Sequence, residues 1–117
     1  MQIRIECEIN KEKGEVIIKA KVAKETVLEE AGELEALEKN ISTLVKIIED
    51  INIQITPDLT RGHQSFALGY LCCMNNNKMI EKEESESLIQ AITYIATSHC
   101  LSFYGRGHKD VNIIKEV

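Results

Sequence analysis

The chain reads as an α+β domain: an N-terminal antiparallel β-hairpin, a long amphipathic helix, an αα-hairpin and, where the pattern weakens, a closing strand. Three observations carry this reading. The first 22 residues alternate apolar and polar side chains with period two, broken by one polar turn. Residues 27–51 then repeat apolar side chains at three-four spacing. Two further helical periods follow, separated by the tract Asn75-Asn76-Asn77-Lys78. A chain of 117 residues with 44% apolar content can bury a core, and no linker or low-complexity tract divides it, so residues 1–117 are expected to form a single domain.

The hairpin is assigned to residues 1–23. Ile3, Ile5, Cys7 and Ile9 share one face, and Gln2, Arg4, Glu6 and Glu8 the other. After the turn Asn10 to Gly14, Val16, Ile18, Ala20 and Val22 repeat the pattern, with Lys19 and Lys21 outward. Acidic outer positions on one strand and basic ones on the next favour their pairing. The long helix is placed over residues 24–51, on the seam Val27, Leu34, Leu37, Ile41, Leu44, Ile48 and Ile51. Such a seam either covers the chain's own sheet or joins a second copy. Leu34, Leu37, Ile41, Leu44 and Ile48 are accordingly the predicted oligomer interface. A two-stranded hairpin is marginal alone, so it needs more strands, from residues 52–56, from 111–117 or from a second subunit. A homodimer or larger assembly is expected on that ground.

The helical hairpin is assigned to residues 57–100. Thr56-Pro57-Asp58 supplies a hydroxyl cap, proline at the first helical position and a carboxylate in the first turn. Leu59, Phe66, Tyr70 and Cys73 are predicted on one face of that helix, and Leu88, Ile92, Ile95 and His99 on one stripe of the next. Residues 101–117 are read as a glycine-containing loop and the closing strand.

Charge and cysteine usage narrow the class. A net charge of -5 makes direct nucleic-acid binding a poor expectation, because a phosphate backbone rewards a basic face. No apolar run approaches the ~20 residues needed to span a bilayer. Four cysteines without a secretory pattern are expected to be reduced thiols in a cytoplasmic protein. Glu29, Glu30, Glu33, Glu49 and Asp50 partly resemble the metal-binding carboxylates of all-α nucleotide pyrophosphohydrolases. Glu49 and Asp50 are neighbours, however, and cannot share one helix face, so these carboxylates are read as a solvated surface. Cys72-Cys73 lacks the spacing of a zinc pair, and no metal, cofactor or catalytic residue is assigned. The thiols are read as small buried hydrophobes.

The residues with specific chemistry gather in the second half. The tripeptide Arg-Gly-His occurs at 61–63 and at 106–108, and all five aromatic rings lie between or beside the two copies. Arginine forks and histidine donors suit phosphate or carboxylate, and aromatic faces suit a base. The expected ligand-binding set is therefore Arg61, His63, Tyr70, Phe103, Tyr104, Arg106 and His108. A helical hairpin brings the end of its second helix back to the start of its first, so both tripeptides should lie at one end. Two functions follow as expectations. The first is a small acidic, non-enzymatic binding protein of inhibitor or adaptor type, acting as a homo-oligomer. Its profile is common among phage and mobile-element proteins that block a host defence system. The alternative is sequestration of a nucleotide-like anion by the Arg/His clamp.

Overall fold

The computed structural model describes residues 3–22, 31–105 and 109–116. Strands β1 (Ile3–Asn10) and β2 (Glu15–Val22) pair antiparallel in the register Asn10↔Glu15 to Ile3↔Val22. Asn10 Oδ1 accepts from the Lys13 N–H at 3.1 Å, and Gly14 closes the turn at φ 64°, a left-handed geometry that glycine adopts without a Cβ penalty. Glu6 stands opposite Lys19, the charge pairing expected from the alternation.

The hairpin gains its third strand from the C-terminal segment. Strand β3 (Asn112–Glu116) runs parallel to β2 from Glu15↔Asn112 to Lys19↔Glu116, so the sheet order is β1-β2-β3 with β2 central. The Asn112 N–H donates to Gly14 O at 2.8 Å, and Lys19 pairs with Glu116 at 3.5 Å.

Helix α1 spans Ala31–Glu49; the predicted start near residue 24 lies outside the described residues. A 3₁₀ turn, Asp50–Ile53, continues it, so the candidate strand at 52–56 does not form. The reason is local. Ile51 prolongs the α1 seam and is fully buried, whereas Ile53 and Ile55 point to solvent; the apparent alternation was a helical row running out. Gln54 Nε2 donates to Asp50 O at 2.8 Å, and Asn52 Nδ2 to Val111 O at 2.9 Å, which ties the turn to the approach of β3.

Helix α2 (Pro57–Asn76) starts as its sequence dictates, with Thr56 Oγ1 accepting from the Leu59 N–H at 3.1 Å. It ends with the Met79 N–H donating to Met74 O at 2.9 Å around Lys78 at φ 58°; the left-handed residue is thus the lysine, not one of the asparagines before it. Helix α3 (Lys82–Ser102) opens with a capping box between Glu81 and Glu84. It buries Leu88, Ala91, Ile92, Ile95, Ala96, His99 and Cys100, the predicted stripe and its flanks, between α2 and the sheet.

The α2 face differs from the one expected. The buried row is Thr60, Ala67, Leu71 and Met74, one position on from Leu59, Phe66, Tyr70 and Cys73. Thr60 is tolerated at full burial because its hydroxyl donates to Thr56 O at 2.8 Å. Leu59 and Phe66 are left outside. Ile41, Leu44 and Ile48 of the α1 seam are buried in the chain's own core; the side chains of Leu34 and Leu37 lie outside the described residues.

Candidate functional site

The start of α2 and the end of α3 meet, as the return of a helical hairpin requires. Cys100 Sγ lies 3.9 Å from Pro57 O. His99 fixes the junction. It is only 6% exposed, and its ring joins three segments: Nδ1 lies 2.7 Å from Asp110 Oδ1, and Nε2 lies 2.7 Å from the Gln54 carbonyl. Both ring nitrogens are thus engaged by the chain's own oxygen atoms. Phe103 packs edge-on against the same ring, with centroids 5.0 Å apart.

Around this junction the surface is apolar. Ile55 is 78% exposed, Leu59 50%, Phe66 57% and Tyr104 69%, with Ile53, Leu101 and Phe103 also exposed. Ile89, in the middle of α3, is the other large hydrophobic side chain exposed among the described residues. Gln54, Asp58, Leu59, Gly62, His63 and Phe66 line a shallow cleft of about 390 Å³ here. Gly62 faces open space, so the cleft floor between Leu59 and Phe66 is bare backbone.

The seven predicted ligand residues are distributed as follows. Phe103 and Tyr104 stand at the junction. Arg61 is exposed on α2 and donates to Gln64 Oε1 at 2.8 Å. His63 places Nε2 3.0 Å from Ile47 O, bracing α2 against α1, with its ring 5.8 Å from that of Phe66. Tyr70 lies nine residues beyond Arg61, roughly 14 Å along the helix. Its hydroxyl donates to Asn40 Oδ1 on α1 at 3.1 Å. Arg106 and His108 lie outside the described residues. The fold therefore gathers Phe103 and Tyr104 beside the first turns of α2, and it turns His63 and Tyr70 toward α1.

The thiols divide in two. Cys100 is buried and Cys7 half-buried, but Cys72 and Cys73 are exposed, which corrects their reading as buried hydrophobes. Both lie near asparagines one turn on, at 3.7 Å from Asn76 Nδ2 and 3.5 Å from Asn77 Nδ2. Burial and the neighbouring Glu8 push the Cys7 thiol up to about 11. Among the described residues, no group of three His, Cys, Asp or Glu side chains is placed to hold a metal ion.

A second concavity lies elsewhere. Between the hairpin and α3 runs a cleft of about 1030 Å³, bounded by residues 8–12 and Ile17 on one side and by Gln90, Thr93, Tyr94 and Thr97 on the other. Lys11 Nζ sits 5.8 Å from the centre of the Tyr94 ring at its mouth. The sequence held a signal for it: Ser87, Gln90, Thr93 and Thr97 recur at helical spacing as a polar row beside the buried stripe of α3. No protein-family model matches this chain, and no curated protein or solved structure is significantly similar to it.

Proposed function

We propose that this chain is a binding protein of inhibitor or adaptor type that docks a protein partner through the apolar end formed by residues 53–66 and 101–104. One observation carries the reading: Ile53, Ile55, Leu59, Phe66, Phe103 and Tyr104 are exposed together around one buried junction. An apolar patch left in water marks an interaction surface more often than an accident of composition. Aromatic anchors with an arginine beside them, here Arg61, are the usual make-up of an interface centre. His99 holds the two contributing segments in a fixed relation, so a partner meets a preformed surface. The anion-clamp reading draws less support, because Arg61 and His63 both bond within the chain. Self-association, where it occurs, would use the same end, since Ile41, Leu44 and Ile48 are already occupied in the core.

The test places a photo-crosslinking amino acid at Phe66, at Tyr104 and, as a control, at Ile89. One discrete adduct from both sites and none from Ile89 is expected. The same partner, purified, should bind Phe66→Glu at least about thirtyfold more weakly, the loss of one interface anchor. Adducts of equal yield from all three positions would show that the apolar end has no privileged role.

A further inference from the structure

We infer a second, independent binding site along the free edge of β1: a groove between that edge and α3 that takes an extended, basic peptide segment as an added strand. The Ile5 N–H donates to a carboxylate oxygen of Glu84 on α3, so it points away from β2. In an antiparallel pair the outward-pointing residues alternate, so the N–H and C=O groups of Cys7 and Ile9 face outward too. The Asn112 contact to Gly14 O, on the opposite side of β2, agrees with that parity. Strand edges are ordinarily guarded by proline, lysine, bulges or brevity. β1 is eight residues long and contains neither proline nor lysine; its charged side chains Arg4, Glu6 and Glu8 alternate with the edge-facing backbone groups, and among the described residues Glu84 meets the edge at the Ile5 N–H.

The space beside this edge is a continuous groove. One cleft is lined by residues 5–8 and by Glu83, Glu84 and Ser87; the larger one shares Glu8 and continues to Thr97. Its two walls match in length. Residues 5–10 of β1 extend roughly 17 Å at a strand's rise, and residues 83–97 of α3 about 21 Å at a helix's rise. A sheet edge facing a helix across such a gap is the geometry by which peptides are bound by strand addition, with backbone bonds supplying affinity and side-chain chemistry supplying choice.

Charge selects the occupant. The charged side chains lining the groove are Glu6, Glu8, Glu12, Glu83 and Glu84, with Lys11; Glu6 stands opposite Lys19 in the register, and the other four carboxylates still outnumber the lysine. Ser87, Gln90, Thr93 and Thr97 add neutral polar partners along the helical wall. A strand carrying lysine or arginine at alternate positions meets carboxylates on both walls. An acidic strand meets repulsion, and so does a second copy's β1, whose edge lies in the same field. The site is separate from the apolar end and does not depend on the function proposed for it.

The test uses the full chain and three labelled octapeptides: alternating Lys-Val, alternating Glu-Val, and Lys-Val with every second backbone amide N-methylated. Fluorescence anisotropy should show binding of the first only. N-methylation should weaken it at least about tenfold, because it removes ladder hydrogen bonds while leaving the charge unchanged. Amide hydrogen exchange should slow at Cys7 and Ile9 on binding. Glu8→Lys with Glu12→Lys, both exposed positions that leave the core alone, should weaken the Lys-Val peptide about tenfold. Equal binding of the methylated peptide would reduce the effect to charge and overturn the added strand. Undetectable binding at millimolar peptide would overturn the site. A dimer of the free chain with the Cys7 and Ile9 amides already protected would assign the edge to a second copy instead.

Discussion

Replacing His99 with alanine probes the junction on which the apolar end depends. The imidazole contributes two short bonds, to Asp110 and to the Gln54 carbonyl, and an edge contact with Phe103. Asp110 is 41% exposed, so the bond to it is partly exchanged for water and contributes about 1 kcal/mol. The bond to Gln54 O is more sheltered, and losing its donor leaves a carbonyl without a partner, at about 1–1.5 kcal/mol. The aromatic contact and the cavity left by the ring bring the loss to about 3–4 kcal/mol. For a chain of 117 residues that corresponds to a melting temperature lower by roughly 12–16 °C. Urea denaturation followed by circular dichroism reads it directly, as a lower midpoint with an unchanged slope. Asp110→Ala alone should cost about 1 kcal/mol, and the double mutant should show a coupling of similar size. A loss below about 1 kcal/mol for His99→Ala, or no coupling, would refute the reasoning that this ring ties the three segments.

Two further outcomes follow from the same geometry. The Cys7 thiol is raised from 9.0 to about 11 by burial and by Glu8, so the fold favours its neutral form. Stability from this group is therefore full below pH 9.0 and is lost as pH rises through about 11. Allowing for partial exposure, wild type should lose about 1–2 kcal/mol more than Cys7→Val between pH 8 and 11 in urea titrations; an equal loss in both would remove Cys7 as the cause. Gly62→Ala and Gly69→Ala place a Cβ where nothing lies within 4 Å inside a helix, so each should raise stability by about 1 kcal/mol in thermal or urea unfolding. Destabilisation by either would mean that an unseen neighbour occupies that face.

Much of the architecture was legible because it rests on period and on caps. The strands expected over residues 3–9 and 15–22, the Thr56-Pro57-Asp58 start and the Leu88–Ile92–Ile95–His99 stripe each reappear in the fold. What failed did so where apolar size was taken for burial. The row Leu59, Phe66, Tyr70 and Cys73 reads as the apolar face of α2, yet the core takes Thr60, Ala67, Leu71 and Met74, a row rotated by one residue that carries apolar side chains of its own, so periodicity alone does not choose between them. Ile51, Ile53 and Ile55 imitate a strand because they cross from a helical turn into a loop. The candidate site was legible only in its location. That one end would collect both helix termini followed from topology, but the partners of His63, Tyr70 and His99 are carbonyls and an amide far along the chain, and no local pattern encodes them.

The displaced row on α2 also bears on function. A helix that needed only to cover α3 would gain from alanine at Gly62 and Gly69, and from polar residues at Leu59 and Phe66. This chain has the reverse: glycines in the interior of α2, each open to solvent, beside large apolar side chains that the core does not use. Both features cost stability or solubility and gain nothing within one molecule. Both fit the docking proposed above, in which a partner surface approaches α2 closely and bare backbone at Gly62 admits it between Leu59 and Phe66. The same reasoning distinguishes the two glycines. Both weaken the helix, but only Gly62 lines the cleft, so docking rather than folding is what should separate Gly62→Ala from Gly69→Ala.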